Sequence, residues 1–103
     1  MTIPADRFLT DGDHVVVATG EIDIATAPQL WEALSLLIER GHRDVVLDMA
    51  GVEFMDSQGI AVIVRAHKEL EQKGGTVVIR SPRAQVRTAL EVTGLVDRLQ
   101  VEG

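Results

Sequence analysis

Three β-branched runs separated by stretches of helical period are what most constrain this chain. Val15-Val16-Val17-Ala18, Asp44 to Met49 with Val45-Val46-Leu47 at its centre, and Thr76-Val77-Val78-Ile79 each read as a strand. Between the first two, Leu30, Ala33, Leu34, Leu37 and Ile38 recur on one face of a helix. Between the second and third, Ile60, Ile63, Val64 and Leu70 do the same. Strand–helix–strand order of this kind forces crossover connections and hence a mainly parallel sheet with helices laid on it.

Punctuation agrees with the period. Asp11-Gly12-Asp13 marks a turn, across which Arg7 to Thr10 is expected to pair with the Val15 strand as a hairpin. Thr26-Ala27-Pro28-Gln29 fits a capping box, with Pro28 in the tolerated first turn, and Gly41 is a natural stop. The second helix is expected to begin at Asp56 or Ser57 and to close at Lys73-Gly74. Ser81-Pro82 opens a third, carrying Val86, Ala89 and Leu90 and stopped at Gly94. The tail from Leu95 to Val101 reads equally as a short helix or an edge strand. The 103 residues suffice for one domain, and no repeat, linker or low-complexity segment divides them. The expectation is a single α/β domain over residues 1–103, with a mixed, mostly parallel sheet of about four or five strands and about four helices packed on it.

Composition removes several function classes. Without cysteine there is no disulfide framework, thiolate metal site or cysteine nucleophile. Phe8, Phe54 and Trp31 are the whole aromatic inventory, poor for stacking bases or sugars. A net charge of −6 repels nucleic acid and anionic membranes, so neither is an expected partner. The longest apolar run, Ile60 to Val64, is far short of the ~20 residues of a membrane helix. Met1 to Thr10 shows no secretory signal, and a cytoplasmic location is expected.

Chemistry is expected at the loops after the C-terminal ends of parallel strands. Two are unusual: Gly20-Glu21-Ile22-Asp23-Ile24-Ala25 and Gly51-Val52-Glu53-Phe54-Met55-Asp56-Ser57. If both strands run parallel, Glu21, Asp23, Glu53 and Asp56 gather around Ser57. Asp23 and Asp56 read as well as simple caps or turn formers. Ser57, at a predicted helix start, reads either as a cap or as a phosphate acceptor, because free N–H groups there suit an anion. It is a poor hydrolase nucleophile: Met55 stands where a Gly-x-Ser-x-Gly elbow needs glycine. Of the histidines, His14 begins a strand and His42 follows a helix stop, while His67 lies about three turns beyond Ser57. No Walker loop, dinucleotide fingerprint or metal spacing is present, so no cofactor and no catalytic set are expected. Trp31 reads as packing beside the first helix's apolar stripe.

Gly20-Glu21-Ile22-Asp23, followed by Val46 to Ile60 with its Phe54-Met55-Asp56-Ser57-Gln58-Gly59 segment, resembles the bacterial anti-sigma factor antagonists. Their fold is the STAS domain, which also occurs on sulfate transporters. The resemblance continues through Lys73-Gly74-Gly75 to Thr93-Gly94-Leu95. It implies an antagonist that, unmodified, captures an anti-sigma factor and frees a sigma subunit. The anti-sigma factor is often also a serine kinase that inactivates the antagonist, and a serine phosphatase restores it. Carried over by position, Ser57 is the phosphate acceptor, and Glu21, Asp23, Met55, Asp56, Gln58 and Gly59 belong with it to the partner-binding surface. Gln58 departs from the many relatives with Ser or Thr there, which removes a second acceptor. The alternatives are a STAS interaction subunit of a stress-sensing or lipid-transport complex that is never phosphorylated, or a nucleotide-binding switch or enzyme.

Overall fold

The computed structural model of the protein describes residues 9–10 and 14–103. Its sheet has the strand order β1-β2-β3-β4-β5, with β1 (Leu9–Thr10), β2 (Val15–Ile22), β3 (Asp44–Met55), β4 (Thr76–Arg80) and β5 (Gln100–Glu102). β1 pairs antiparallel with β2, and the remaining pairs are parallel. The helices α1 (Ala27–Glu39), α2 (Ser57–Glu71) and α3 (Ala84–Val92) fill the crossovers. In place of a fourth α-helix there is a short 3-10 turn, Leu95–Asp97. The ambiguous tail is therefore both things: that turn, and then β5 as an edge strand. Of the expected hairpin, Leu9 and Thr10 pair with Val17 and Val16; Arg7, Phe8 and the turn residues lie outside the described part.

Register explains the core. Val16, Leu47 and Ile79 are cross-strand partners, so they share one sheet face, and all three are fully buried. Leu30, Leu34 and Leu37 of α1 and Ile63 and Leu70 of α2 join them in one cluster. Burying side chains of this size contributes roughly 1.5–3 kcal/mol each. α1 and α2 end near Gly41 and Gly74, whose φ of 91° and 79° are left-handed values that glycine adopts without a Cβ clash.

The opposite face carries the row Val17, Asp48 and Arg80. Arg80 Nη2 donates to Asp48 Oδ2 at 2.9 Å, and the Ala50 N–H donates to Oδ1 at 3.0 Å. Burial pushes the Asp48 carboxyl up, but the Ala50 and Arg80 hydrogen bonds and the Arg80 charge outweigh it and hold the group below its ordinary value of 3.8. A carboxyl depressed in the folded state stabilises the fold above its unfolded pKa, and that contribution is lost as pH falls through the folded value. Acid titration of stability is therefore expected to show a loss below about pH 3.8 that Asp48→Asn diminishes. An unchanged acid limb in Asp48→Asn would show that the pair is energetically idle.

Both strands run further than their valine runs suggest. Gly20 to Ile22 belongs to β2 and Gly51 to Met55 to β3, where loops were expected. The ladder between them shifts register between Val17 and Thr19 and again between Gly20 and Glu21. At each shift β3 carries an extra residue, so Val45, Leu47 and Met49 alternate inward but Val52 and Met55 do not keep the step. The extension brings Ile22 opposite Met55 and puts both strand ends on one edge.

Candidate functional site

At that edge the chain turns from β3 into α2. Asp56 is extended, its N–H donates to the Ile22 carbonyl at 3.1 Å, and its Oδ1 accepts the Gln58 N–H at 2.8 Å. The carboxylate thus caps α2, satisfying one of the N–H groups that a helix start leaves open. Ser57 is the first residue of α2; it and Gln58 are exposed, with Asp56 half-buried beside them.

The β2–α1 connection is held from within. Asp23 Oδ1 accepts from the Ala25 N–H at 2.9 Å and from the Thr26 N–H at 3.1 Å. Thr26 is buried, and its Oγ1 accepts the Asp23 N–H at 2.8 Å and has the Glu21 carbonyl as an acceptor at 3.1 Å. The capping box expected at Thr26 does not form: the residue is already helical in φ and ψ and makes no side-chain cap. Its hydroxyl is turned back into the Asp23 turn, a competing local bond open to Ser and Thr. Asp23 and Asp56 are both structural turn and cap residues, whatever else they do.

Two open grooves flank the start of α2. One, of about 520 Å³, runs between α2 and α3 and is lined by Asp56, Ser57, Ile60, Gln85, Ala89 and Val92 among others. The second, of about 500 Å³, lies between α1 and α2, with Ile24, Pro28, Trp31, Gln58, Val62 and Arg65 among its walls. Ser57 and Gln58 therefore stand on a ridge with an apolar channel on either side. Beside it are the largest exposed apolar side chains of this end, Val92 at 81%, Ile24 at 74% and Phe54 at 42% exposed. Clustered exposure of this kind is a mark of an interaction surface.

Glu21, Asp23, Glu53 and Asp56 do come to one edge, since β2 and β3 are parallel. Of the four, only Asp56 lines a groove together with Ser57. Glu21 and Glu53 are exposed on the strand extensions. Gly59 is buried, and Met55, though only 2% exposed, lines the groove between α2 and α3 together with Asp56 and Ser57. Trp31 is partly buried against the core as expected, and its ring also carries the Arg65 guanidinium 3.9 Å from its centroid. Arg65 is the only cation among the residues described as lining either groove.

Ile24, Val92, Arg65 and Gln85 were not among the expected site residues. Ile24 was visible as an apolar residue inside a polar turn, and Val92 as an apolar residue off the α3 stripe. Arg65 and Gln85 carried no signal, because their roles depend on contacts between elements. No histidine lines either groove, and among the described residues no three His, Asp or Glu side chains converge as metal ligands. No helix among the described residues is long and apolar enough to cross a membrane.

Comparison with known proteins identifies a family. Residues 9–102 match the model of the STAS domain. The anti-sigma-B factor antagonist of Staphylococcus aureus is 30% identical over 101 residues, spanning 98% of this chain and 94% of that protein. The protein of the same name from Staphylococcus epidermidis matches to the same extent, 30% over 101 residues. Among solved structures, an anti-sigma factor antagonist from Mycobacterium paratuberculosis superposes with a TM-score of 0.76 at 28% identity, covering 99% of this chain and 90% of that one. A putative anti-sigma factor antagonist from Thermotoga maritima reaches a TM-score of 0.80 at 24% identity over 92% of this chain and 83% of its own, and shares the fold.

Proposed function

The chain belongs to the STAS domain family, and from that premise we propose that it is an anti-sigma factor antagonist switched by phosphorylation of Ser57. Unmodified, it captures an anti-sigma factor and so frees a sigma subunit for transcription. The anti-sigma factor acts as a serine kinase on Ser57, and a serine phosphatase reverses the modification. The protein itself performs no catalysis and works in the cytoplasm.

The observation that carries this reading is the exposed Ser57 hydroxyl on a ridge between two apolar grooves at the start of α2. A kinase can reach a serine so placed, and a partner that fills both grooves must cover it. Relatives named anti-sigma-B factor antagonists, similar over nearly the full chain, support the choice of partner. Gln58 offers no second hydroxyl, so a single phosphate is expected.

Affinity capture with the unmodified protein, followed by mass spectrometry of the partners, tests the assignment. Wild type is expected to recover an anti-sigma factor, and phosphorylated protein is not. Incubation with that partner and ATP should add one phosphate to wild type and none to Ser57→Ala. A transporter recovered with Ser57 unmodified would favour a STAS subunit of another complex. Phosphate on Ser57→Ala would move the acceptor elsewhere.

Charge should set the rate of encounter. Exposed Glu21 and Glu53 and half-buried Asp56 stand at the same edge, and a basic partner surface would be steered toward them. Such fields are screened beyond ~10 Å at 0.1 M salt. The association rate constant is therefore expected to fall as salt is added, and to lose part of that dependence in Glu21→Gln/Glu53→Gln. A rate indifferent to salt would rule out steering.

A further inference from the structure

β3 outruns its neighbour on one side. β4 ends at Arg80, paired with Asp48, yet β3 continues to Met55. On the β2 side the continuation keeps a strand partner as far as Ile22. On the other side two side chains from the start of α3 stand in for the missing strand. Arg83 Nε donates to the Ala50 carbonyl at 2.8 Å. Gln85 is bidentate on one residue: its Oε1 accepts the Met55 N–H at 3.1 Å, and its Nε2 donates to the Met55 carbonyl at 3.3 Å. A primary amide has a donor and an acceptor side by side, the same pair that a neighbouring strand would present.

Met55 is the residue before the Asp56 cap, and Gln85 itself lines the groove that contains Asp56 and Ser57. We propose that Gln85 is a positioning residue for the Ser57 ridge, its side-chain amide fixing the end of β3 and with it the groove wall between α2 and α3. The Met55 side chain is fully packed, so rotation of its peptide would move Asp56 and the first turn of α2 with it. Gln85 itself is exposed and adds little to the core. Its loss should therefore loosen this corner without unfolding the sheet.

The part played by the corner in partner capture rests on the proposed function above; the loosening itself does not. The test uses Gln85→Met, which keeps side-chain length and removes both hydrogen bonds, beside Gln85→Glu. The neutral carboxylic acid of Gln85→Glu restores a donor and acceptor in the amide's place below its pKa, and the carboxylate above it does not. Amide hydrogen exchange is read first, with no partner present. Exchange at Met55 is expected to speed up about tenfold in Gln85→Met, the scale of losing one or two net hydrogen bonds. Val77 and Val78 on β4 should be unchanged, and the denaturant midpoint nearly so. Protection at Met55 in Gln85→Glu should return as pH is lowered through the glutamate range. The dissociation constant of the anti-sigma factor recovered by affinity capture should rise by a similar factor in Gln85→Met. Unchanged Met55 exchange in Gln85→Met would overturn the proposal at its structural step. Faster exchange with undiminished affinity would overturn the positioning role. If no anti-sigma factor is recovered at all, the proposed function fails, and the exchange data still decide whether Gln85 holds the corner.

Discussion

Phosphorylation of Ser57 is expected to weaken partner binding by about a hundredfold or more while leaving the fold's stability almost unchanged. The phosphate adds about −1.5 to −2 charges at pH 7. At the first residue of α2 the helix dipole favours that charge by about 0.3–1 kcal/mol. Asp56, whose carboxylate already holds the Gln58 N–H at 2.8 Å, repels it, and Ser57 is exposed enough for water to soften both effects. The two terms oppose one another at similar size, so the denaturant midpoint should move by the equivalent of about 1 kcal/mol or less. The interface has no such balance. A partner seated across both grooves must enclose a doubly charged group where it expects a hydroxyl. An unpaired charge in that position costs several kcal/mol, and each ~1.4 kcal/mol is tenfold in affinity. Denaturant midpoints and partner dissociation constants of the two forms, measured side by side, separate the mechanisms. A large drop in stability, or amide shifts spread through the sheet, would replace interface blockade with a conformational switch.

A single methyl at Gly59 should be the other large effect. Gly59 lies in the first turn of α2, packed against Ile22 and Met55 at the ends of β2 and β3. A Cβ there would overlap the Met55 side chain and come within 2.8 Å of Ile22 Cγ2, both from fully packed residues. Alanine is the better helix former by about 1 kcal/mol, yet overpacking of a dense core costs typically 1–3 kcal/mol. Gly59→Ala is therefore expected to be destabilising overall, and Gly59→Val more so. Met55 and Ile22 are both packed at the strand ends, so relief of the overlap is expected to shift those ends and the Ser57 ridge with them, and partner affinity should fall further than stability alone explains. Urea midpoints and binding by folded Gly59→Ala check both halves. A more stable Gly59→Ala would show that Met55 rotates aside freely and that the close approach is not structural.

Loss of binding in Gly59→Ala would come from beneath the surface, since the glycine itself is buried. The resemblance placed Gly59 and Met55 with the contact residues; Gly59 is buried under the ridge, and Met55, nearly buried, lines the groove between α2 and α3. A motif records which positions matter together; burial decides which of them a partner touches.

How much was readable in advance follows from the range of each interaction. The valine runs and the helical stripe of Leu30, Leu34 and Leu37 are local patterns, and they determined three strands, three helices and the parallel sheet. Gly41, Gly74 and the Asp56 cap are local too, and fell where the chain announced them. The lengths of β2 and β3 were not local. Two register shifts break the two-residue period that makes a strand visible, so Gly20–Ile22 and Gly51–Met55 resembled loops. Thr26 stands at the N-cap position but leaves the helix N–H groups uncapped, because its hydroxyl oxygen accepts the Asp23 N–H instead and its proton is directed back into the same turn. The sequence by itself determined the class of fold, the family and a serine at a helix start. Only tertiary structure decided what surrounds that serine: two grooves made of residues from α1, α2 and α3, and a Gln85 amide taking the place of a strand. Those contacts join residues 30 positions apart along the chain, a distance over which periodicity and capping carry no information.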